Sequence, residues 1–360
     1  MKLWMHRCLL LINVLIATGL LATAFLPYIN PSKSWICGFA GFFFPVFGLL
    51  AVLSLIVHLI FYRGYAWIPF IALLASVPPF LASFAFHPFA AKTSGEPAAG
   101  QIRIMSFNCS SMGLKDYKID EPQRNRILQM IRENPVDVLC LQEFYTNDDP
   151  TKSHHLDSIM KYGGFRYVYQ TKDLTRWNTW HFGLALFSKY PILDTAKILT
   201  GAGPESENLL KARIRFGQET LTIFNTHLYS YSFDRSNYQT ANSEQLHGIR
   251  GLIRKMKATF SGRVQQAMIV KENVHNSDGP TILCGDLNAI PNSFVYKSVK
   301  GDFQDAFLKK GFGWGTTFHT ISPFLRIDYI FCNPGIRVQD FRVLHHLPFE
   351  HYPIITTIEL

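Results

Sequence analysis

The segment Thr281-Ile282-Leu283-Cys284-Gly285-Asp286-Leu287-Asn288 runs apolar up to a glycine and then sets a carboxylate and a carboxamide two positions apart. On an extended backbone residues i and i+2 project to one face, so Asp286 and Asn288 point together off the end of a buried strand. An acceptor-only carboxylate beside an amide that both donates and accepts suits a water, a metal ion or a phosphate oxygen. The same pair is ordinary turn chemistry, so other strand ends must supply partners before it means more. Several do. Asn108 closes Ile104-Met105-Ser106-Phe107, Glu143 follows Leu139-Cys140-Leu141-Gln142, and His227 closes Thr222-Ile223-Phe224-Asn225-Thr226. Asp328 lies in Arg326-Ile327-Asp328-Tyr329-Ile330, and His351 in Phe349-Glu350-His351-Tyr352-Pro353. Each has a structural explanation when taken singly: Asn108 as a turn former, Glu143 as a cap, Asp328 as a buried partner of Arg326.

Positioning such a set requires strands that end at one mouth. Apolar runs predict strands over residues 102–108, 136–142, 167–170, 184–188, 211–216, 221–226, 281–284, 327–332, 336–344 and 354–358. Helical periodicity predicts helices over 122–133, 243–258 and 262–274. Antiparallel-looking pairs mixed with α/β crossovers imply a layered α/β sandwich, and ligand sites in such proteins form at strand ends.

In order and wording these pieces resemble the endonuclease/exonuclease/phosphatase superfamily, the Mg²⁺-dependent group that includes DNase I-like nucleases, sphingomyelinases and inositol-polyphosphate phosphatases. The matching stretches are Ser106-Phe107-Asn108, Leu141-Gln142-Glu143, Gly183 through Ser188-Lys189-Tyr190-Pro191, Asn225-Thr226-His227-Leu228, Gly285-Asp286-Leu287-Asn288, Arg326-Ile327-Asp328-Tyr329-Ile330 and Glu350-His351-Tyr352-Pro353. The resemblance implies a four-layer sandwich of two packed mixed β-sheets flanked by helices. It also implies a divalent cation, Mg²⁺ with Mn²⁺ or another divalent ion as alternatives, held by Glu143 with the Asn108 amide oxygen. A phosphodiester repels nucleophiles, so catalysis needs that cation and a positioned, deprotonated water. Asp286 would orient or deprotonate the water, Asn288 and His227 would hold the phosphate, and His351 would donate to it or act as acid/base, with Asp328 fixing its tautomer. The family pattern has Asp-His at the last motif where this chain has Glu350-His351; Glu350 is a further candidate metal or water ligand.

The front of the chain differs. No Asp, Glu, Lys or Arg occurs between Arg7 and Lys33, between Lys33 and Arg63, or between Arg63 and Lys92. Each gap suffices for the roughly 20 residues that cross a bilayer. Three spans are expected near 8–28, 36–60 and 66–87 in a membrane region 1–91, followed by a linker 92–101 and a catalytic domain 102–360. Lys2, Arg7 and Arg63 against Lys33 put the N-terminus in the cytoplasm by the positive-inside rule. An odd number of crossings then places the catalytic domain on the extracytoplasmic side. The cysteines Cys109, Cys140, Cys284 and Cys332 lie in or beside predicted strands without disulfide spacing and read as small buried hydrophobes.

Net charge is +9, but without Lys2, Arg7, Lys33, Arg63, Lys92 and Glu96 the remainder carries 30 basic and 25 acidic residues, a net +5; this mild basic excess permits an anionic substrate without the signature of a dedicated nucleic-acid binder. Specificity falls to loops: Trp177 and Trp180 in one, and Tyr229 and Tyr231 in another, can stack on bases or dip into a membrane interface. A phospholipid or sphingolipid phosphodiester at the lipid bilayer is the expected substrate. An extracytoplasmic DNase I-like endonuclease acting on nucleic acid, and a non-catalytic phosphate-binding module, stay open.

Overall fold

The apolar runs of residues 101–360 become two sheets whose facing sides bury one core. The computed structural model describes residues 2–90, 95–115, 118–149, 154–201, 208–230, 245–319 and 324–360. Tyr231 and part of the linker lie outside the described residues. The chain divides into two units, residues 1–84, 233–264 and 290–297 in the first and the remainder in the second.

In the second unit the main strands are β1 (Gln101–Asn108), β2 (Val138–Asn147), β3 (Tyr167–Gln170), β4 (Leu174–Arg176), β5 (Trp180–Ser188), β6 (Ile192–Ile198), β7 (Leu209–Phe216), β8 (Glu219–His227), β9 (Thr281–Asp286), β10 (Gln304–Asp305), β11 (Asp328–Cys332), β12 (Arg337–Val343) and β13 (Ile354–Glu359). One sheet has the order β12-β13-β1-β2-β5-β3 with β4 also on β5, and the other β10-β11-β9-β8-β7-β6. Both are mixed: β1 and β2 run parallel, as do β8 and β9, and their neighbours are antiparallel. Period-two alternation explains the layering. Ile102, Ile104, Val138 and Cys140 face inward onto Leu210, Ala212, Ile223, Ile282, Cys284 and Ile330. The alternate residues Met105, Phe107, Leu139 and Leu141 face outward onto Ile127 and Ile131 of the helix Glu121–Glu133 and Ile159 of the helix His155–Gly163. Cys109, Cys140, Cys284 and Cys332 are buried and unbridged.

Three sequence expectations need correction here. The strand expected to stop at Gln142 continues to Asn147. The stretch 192–198, not singled out, is the edge strand β6. The two helices expected over 243–258 and 262–274 are one, Gln245–His275; the glycine at the expected break, Gly262, costs only about 1 kcal/mol and does not break it.

In the first unit, His6–Tyr28 and Trp35–Phe61 are each long and apolar enough to cross a membrane. Arg63–Ala75 and Val77–Ser83 form a third candidate only if taken as one span bent by 46°. The bend has a plain cause: Pro78 and Pro79 lack N–H donors, and a proline ring crowds the preceding turn. That third helix ends at Ser83 rather than near residue 87, where Ala85–Phe86 is already a strand. Polar side chains tie these helices together: Asn13 Nδ2 donates to Tyr65 O at 3.1 Å, and Ser54 Oγ donates to Asn13 Oδ1 at 3.0 Å. Ile290–Lys297 belongs to the same unit, with Asn292 Nδ2 donating to Thr23 O at 2.8 Å and the Lys297 ammonium 4.9 Å from the centre of the Tyr28 ring.

Candidate active site

Register sets the first three side chains in a row. His227 ends β8 opposite Asp286 of β9, and Asp286 stands opposite Asp328 at the start of β11. This row depends on Gly285. Its φ is +147°, and a Cβ there would meet Thr226 O at 2.0 Å, so only glycine lets β8 and β9 come this close. The other sheet brings Asn108, at the end of β1 and opposite Gln142, together with Glu143. Glu143 does not close a strand. It lies in a β-bulge where the pairing of β2 with β5 jumps from Leu141↔Ala185 to Phe144↔Gly183, and its φ is +48°. A bulge re-aims a side chain, and the Glu143 side chain is 38% exposed whereas that of Asp286 is 1% exposed.

Asn108 joins the sheets, its Nδ2 donating to Glu143 Oε1 at 2.9 Å and to Asp286 Oδ2 at 3.1 Å. Its Oδ1 accepts from Ser110 N at 3.1 Å. The amide is thus turned opposite to the orientation expected of a metal ligand, bridging two carboxylates instead of offering them an oxygen-ligated cation. Asn288 is similar. It lies past the strand end at φ +47°, so it does not share an extended face with Asp286 as expected; its N–H instead donates to Asp286 Oδ1 at 2.8 Å in a turn, while its Nδ2 donates to Leu228 O at 2.9 Å and lies 3.1 Å from His227 Nε2. His227 Nε2 stands 3.6 Å from Glu143 Oε1 and 3.8 Å from Asp286 Oδ2.

His351 reaches the row from the loop before β13, with Nδ1 3.2 Å from both Asp328 oxygens and 3.7 Å from Asp286 Oδ2. Phe318 packs against its ring at 4.8 Å. The alternative partner for Asp328 is disposed of by geometry: Arg326 pairs with Asp305 at 2.5 Å. Burial opposes the charge on His351, but the carboxylates of Asp328 and Asp286 outweigh it and raise the imidazole to about 9. Burial pushes Asp286 up to about 6, Asp328 adds to the rise, and His351, His227 and the Asn288 N–H oppose it.

These residues fit a divalent cation. Two buried carboxylates on adjacent strands repel one another, and the ligand atoms of Asp286, Asp328 and His351 lie within 4.8 Å of each other. Of that trio, Asp328 and His351 already hold each other, and a hard cation prefers oxygen and water. Glu143, half-buried and linked to Asp286 through Asn108, offers a further carboxylate that could hold a cation. Glu350, the residue before His351, is exposed. Trp177 is 61% exposed and packs edge-on against Trp180, itself against Tyr145, while Tyr229 is held by its N–H donating to Gln266 Oε1 at 2.6 Å. Sequence reasoning passed over Ser106, Gln142, Asn225 and Thr317. Thr317 Oγ1 accepts from Ile327 N and Asp328 N at 3.0 and 3.1 Å, fixing the start of β11. Polar residues inside otherwise apolar strands were the available signal for the first three.

Fold and cluster together define a phosphoric ester hydrolase. Residues 105–350 match the Endonuclease/Exonuclease/phosphatase family, and the chain belongs to it; its members are metal-dependent phosphoesterases and nucleases. Residues 6–83 match a domain of unknown function. No curated protein matches. Among solved structures, an endonuclease/exonuclease/phosphatase from Beutenbergia cavernae is 18% identical over 72% of both chains with a TM-score of 0.50. One from Bacteroides vulgatus is 14% identical over 72% of this chain and 99% of its own, at 0.51. D. rerio TDP2 complexed with a single-strand DNA product is 16% identical over 72% and 99%, at 0.50. At such identities the likeness is one of fold.

Proposed function

We propose that this chain is a membrane-anchored phosphodiesterase that hydrolyses the headgroup phosphodiester of a phospholipid or sphingolipid on the extracytoplasmic side. The observation that carries the reaction is the convergence of Glu143, Asn108, His227, Asp286, Asn288, Asp328 and His351 at one strand-end mouth. Glu143 holds Mg²⁺, with Asn108 beside it. Bound there, the cation supplies positive charge to the phosphoryl oxygens. Asp286, ionised above about pH 6, orients the attacking water and takes its proton. The water oxygen bonds to phosphorus as the ester oxygen departs, and His351, protonated below about pH 9, gives that oxygen its proton. Asp328 keeps the proton on the correct ring atoms, as a carboxylate behind a histidine does elsewhere. His227 and Asn288 meet the phosphoryl oxygens once their mutual contact opens.

Supporting the lipid substrate are the apolar helices carried by the same chain and the exposed Trp177. The fold shared with a DNA-bound TDP2 favours a nuclease as second reading. The deciding experiment offers full-length protein in nanodiscs a panel of sphingomyelin, glycerophospholipids, inositol phosphates and DNA. Mg²⁺-dependent headgroup release that stops with chelator supports the proposal. DNA cleavage with steep salt dependence and indifference to lipid would replace it with the nuclease. Absence of any hydrolysis would leave a phosphate-binding module. Protection of a C-terminal tag from protease added outside intact cells would overturn the proposed side of the membrane.

A further inference from the structure

Beneath the mouth lies a polar layer that the chemistry above does not use. Ser106, Gln142 and Asn225 are each fully buried, in strands otherwise built from apolar residues. Gln142 Nε2 donates to Asn225 Oδ1 at 2.7 Å and to Ser106 Oγ at 3.1 Å. Asn225 Nδ2 donates to Leu141 O at 2.9 Å and to Ala185 O at 3.2 Å. Those two carbonyls belong to the last regular pair of β2 and β5 before the bulge. One side chain from the opposite sheet therefore clamps both strands at the point where their ladder breaks. The three residues also stand directly behind site residues in sequence: Ser106 two before Asn108, Gln142 one before Glu143, and Asn225 two before His227.

Glu143 needs such support. A non-glycine residue at φ +48° is strained, and strain of this kind persists only where surrounding structure over-determines it. Gln142 Oε1 lacks a partner in this layer among the described residues, but both amide groups that donate in it are paired, and moving the strands would leave those buried groups unpaired as well.

We infer that Asn225, with Gln142 and Ser106, is a positioning residue: it pins the β-bulge so that the Glu143 carboxylate is aimed for cation binding. This rests on the proposed role of Glu143 as metal ligand. Loss of a group that orients a ligand typically weakens metal affinity by about 10–100-fold. The test uses full-length protein in detergent, with Mn²⁺ binding read by electron paramagnetic resonance and backbone hydrogen exchange read over residues 142–144. Asn225→Ala is expected to weaken Mn²⁺ binding by at least about tenfold and to accelerate exchange over 142–144, leaving substrate KM at saturating metal unchanged. Ser106→Ala, which removes the hydroxyl that accepts from Gln142 Nε2 and leaves the Asn225 clamp in place, shifts both readouts in the same direction by less, and it carries the test if Asn225→Ala does not fold. Unchanged Mn²⁺ binding and unchanged exchange in a folded variant would overturn the inference. Glu143→Gln separates the two layers of argument. If it binds Mn²⁺ normally, the ligand role of Glu143 fails, and the aiming role of Asn225 is refuted with it. If it loses Mn²⁺ while Asn225→Ala retains it, only the positioning role fails.

Discussion

Replacing Gly285 by alanine tests how the strand row is built. The added Cβ would lie 2.0 Å from Thr226 O, about 1 Å inside the closest approach real Cβ atoms show, in a backbone region alanine disfavours at φ +147°. Overpacking costs about 1–3 kcal/mol and a disfavoured backbone conformation about 1–3 kcal/mol, so the expected loss is about 2–6 kcal/mol. For a unit of this size each kcal/mol lowers Tm by roughly 2–4 °C, which puts the expected fall at about 4–24 °C. The relief available is to spread β8 from β9, which separates His227 from Asp286. A misplacement of about 1 Å at a catalytic group costs on the order of 100-fold in rate. Thermal unfolding of the full chain in detergent and phosphodiester turnover, measured well below the lowered Tm, read the two effects separately. Gly262→Ala is the control, since no atom lies within 4 Å of its Cβ position in the long helix and alanine there stabilises by about 1 kcal/mol. A Gly285→Ala protein with wild-type Tm and turnover would refute the close-approach argument.

Other outcomes follow from the same geometry. His155 is buried and its imidazole is lowered to about 4, chiefly by burial, so between about pH 6.5 and 4 the unfolded chain binds the extra proton and the folded one does not. Stability should therefore fall by up to about 3 kcal/mol as pH drops through that window; denaturant melts at pH 7 and 4.5 read it, and His155→Gln should flatten the dependence. Asp328→Asn removes the largest influence raising His351, so the alkaline limb of the pH–rate profile should move down from about 9, beside a loss in kcat. Asp305→Ala leaves the buried Arg326 guanidinium, 1% exposed, without its carboxylate and should cost about 3–5 kcal/mol in chemical denaturation, with little change in the pH–rate profile.

Much of this site can be read from residue order, because apolar alternation marks strands and the chemistry-bearing residues stand at their ends. Asp286 and Asn288 do meet, but through turn geometry and not a shared strand face: the strand ends at Asp286, Asn288 has φ +47°, and its N–H donates to Asp286 Oδ1. What spacing cannot carry is the register between distant strands. The bulge that aims Glu143 exists only relative to β5, so a strand read from its own residues ends too early at Gln142. Partner choice is lost for the same reason: Arg326 is two residues from Asp328 yet pairs with Asp305, which pairing of β10 with β11 brings alongside. The orientation of the Asn108 and Asn288 amides depends on Ser110 N and Leu228 O, neighbours whose backbone direction no pattern reveals. In the first unit, the Pro78-Pro79 pair was visible in the sequence, and the bend at Ser76 is its physical consequence.

The most direct test of the account is Mg²⁺-dependent hydrolysis of a simple phosphodiester such as bis(p-nitrophenyl) phosphate by the full-length protein, compared with Asp286→Asn at matched folding. The account predicts turnover that chelator abolishes and that Asp286→Asn lowers by about 100-fold or more. Turnover that persists in chelator, or that Asp286→Asn leaves intact, would contradict it.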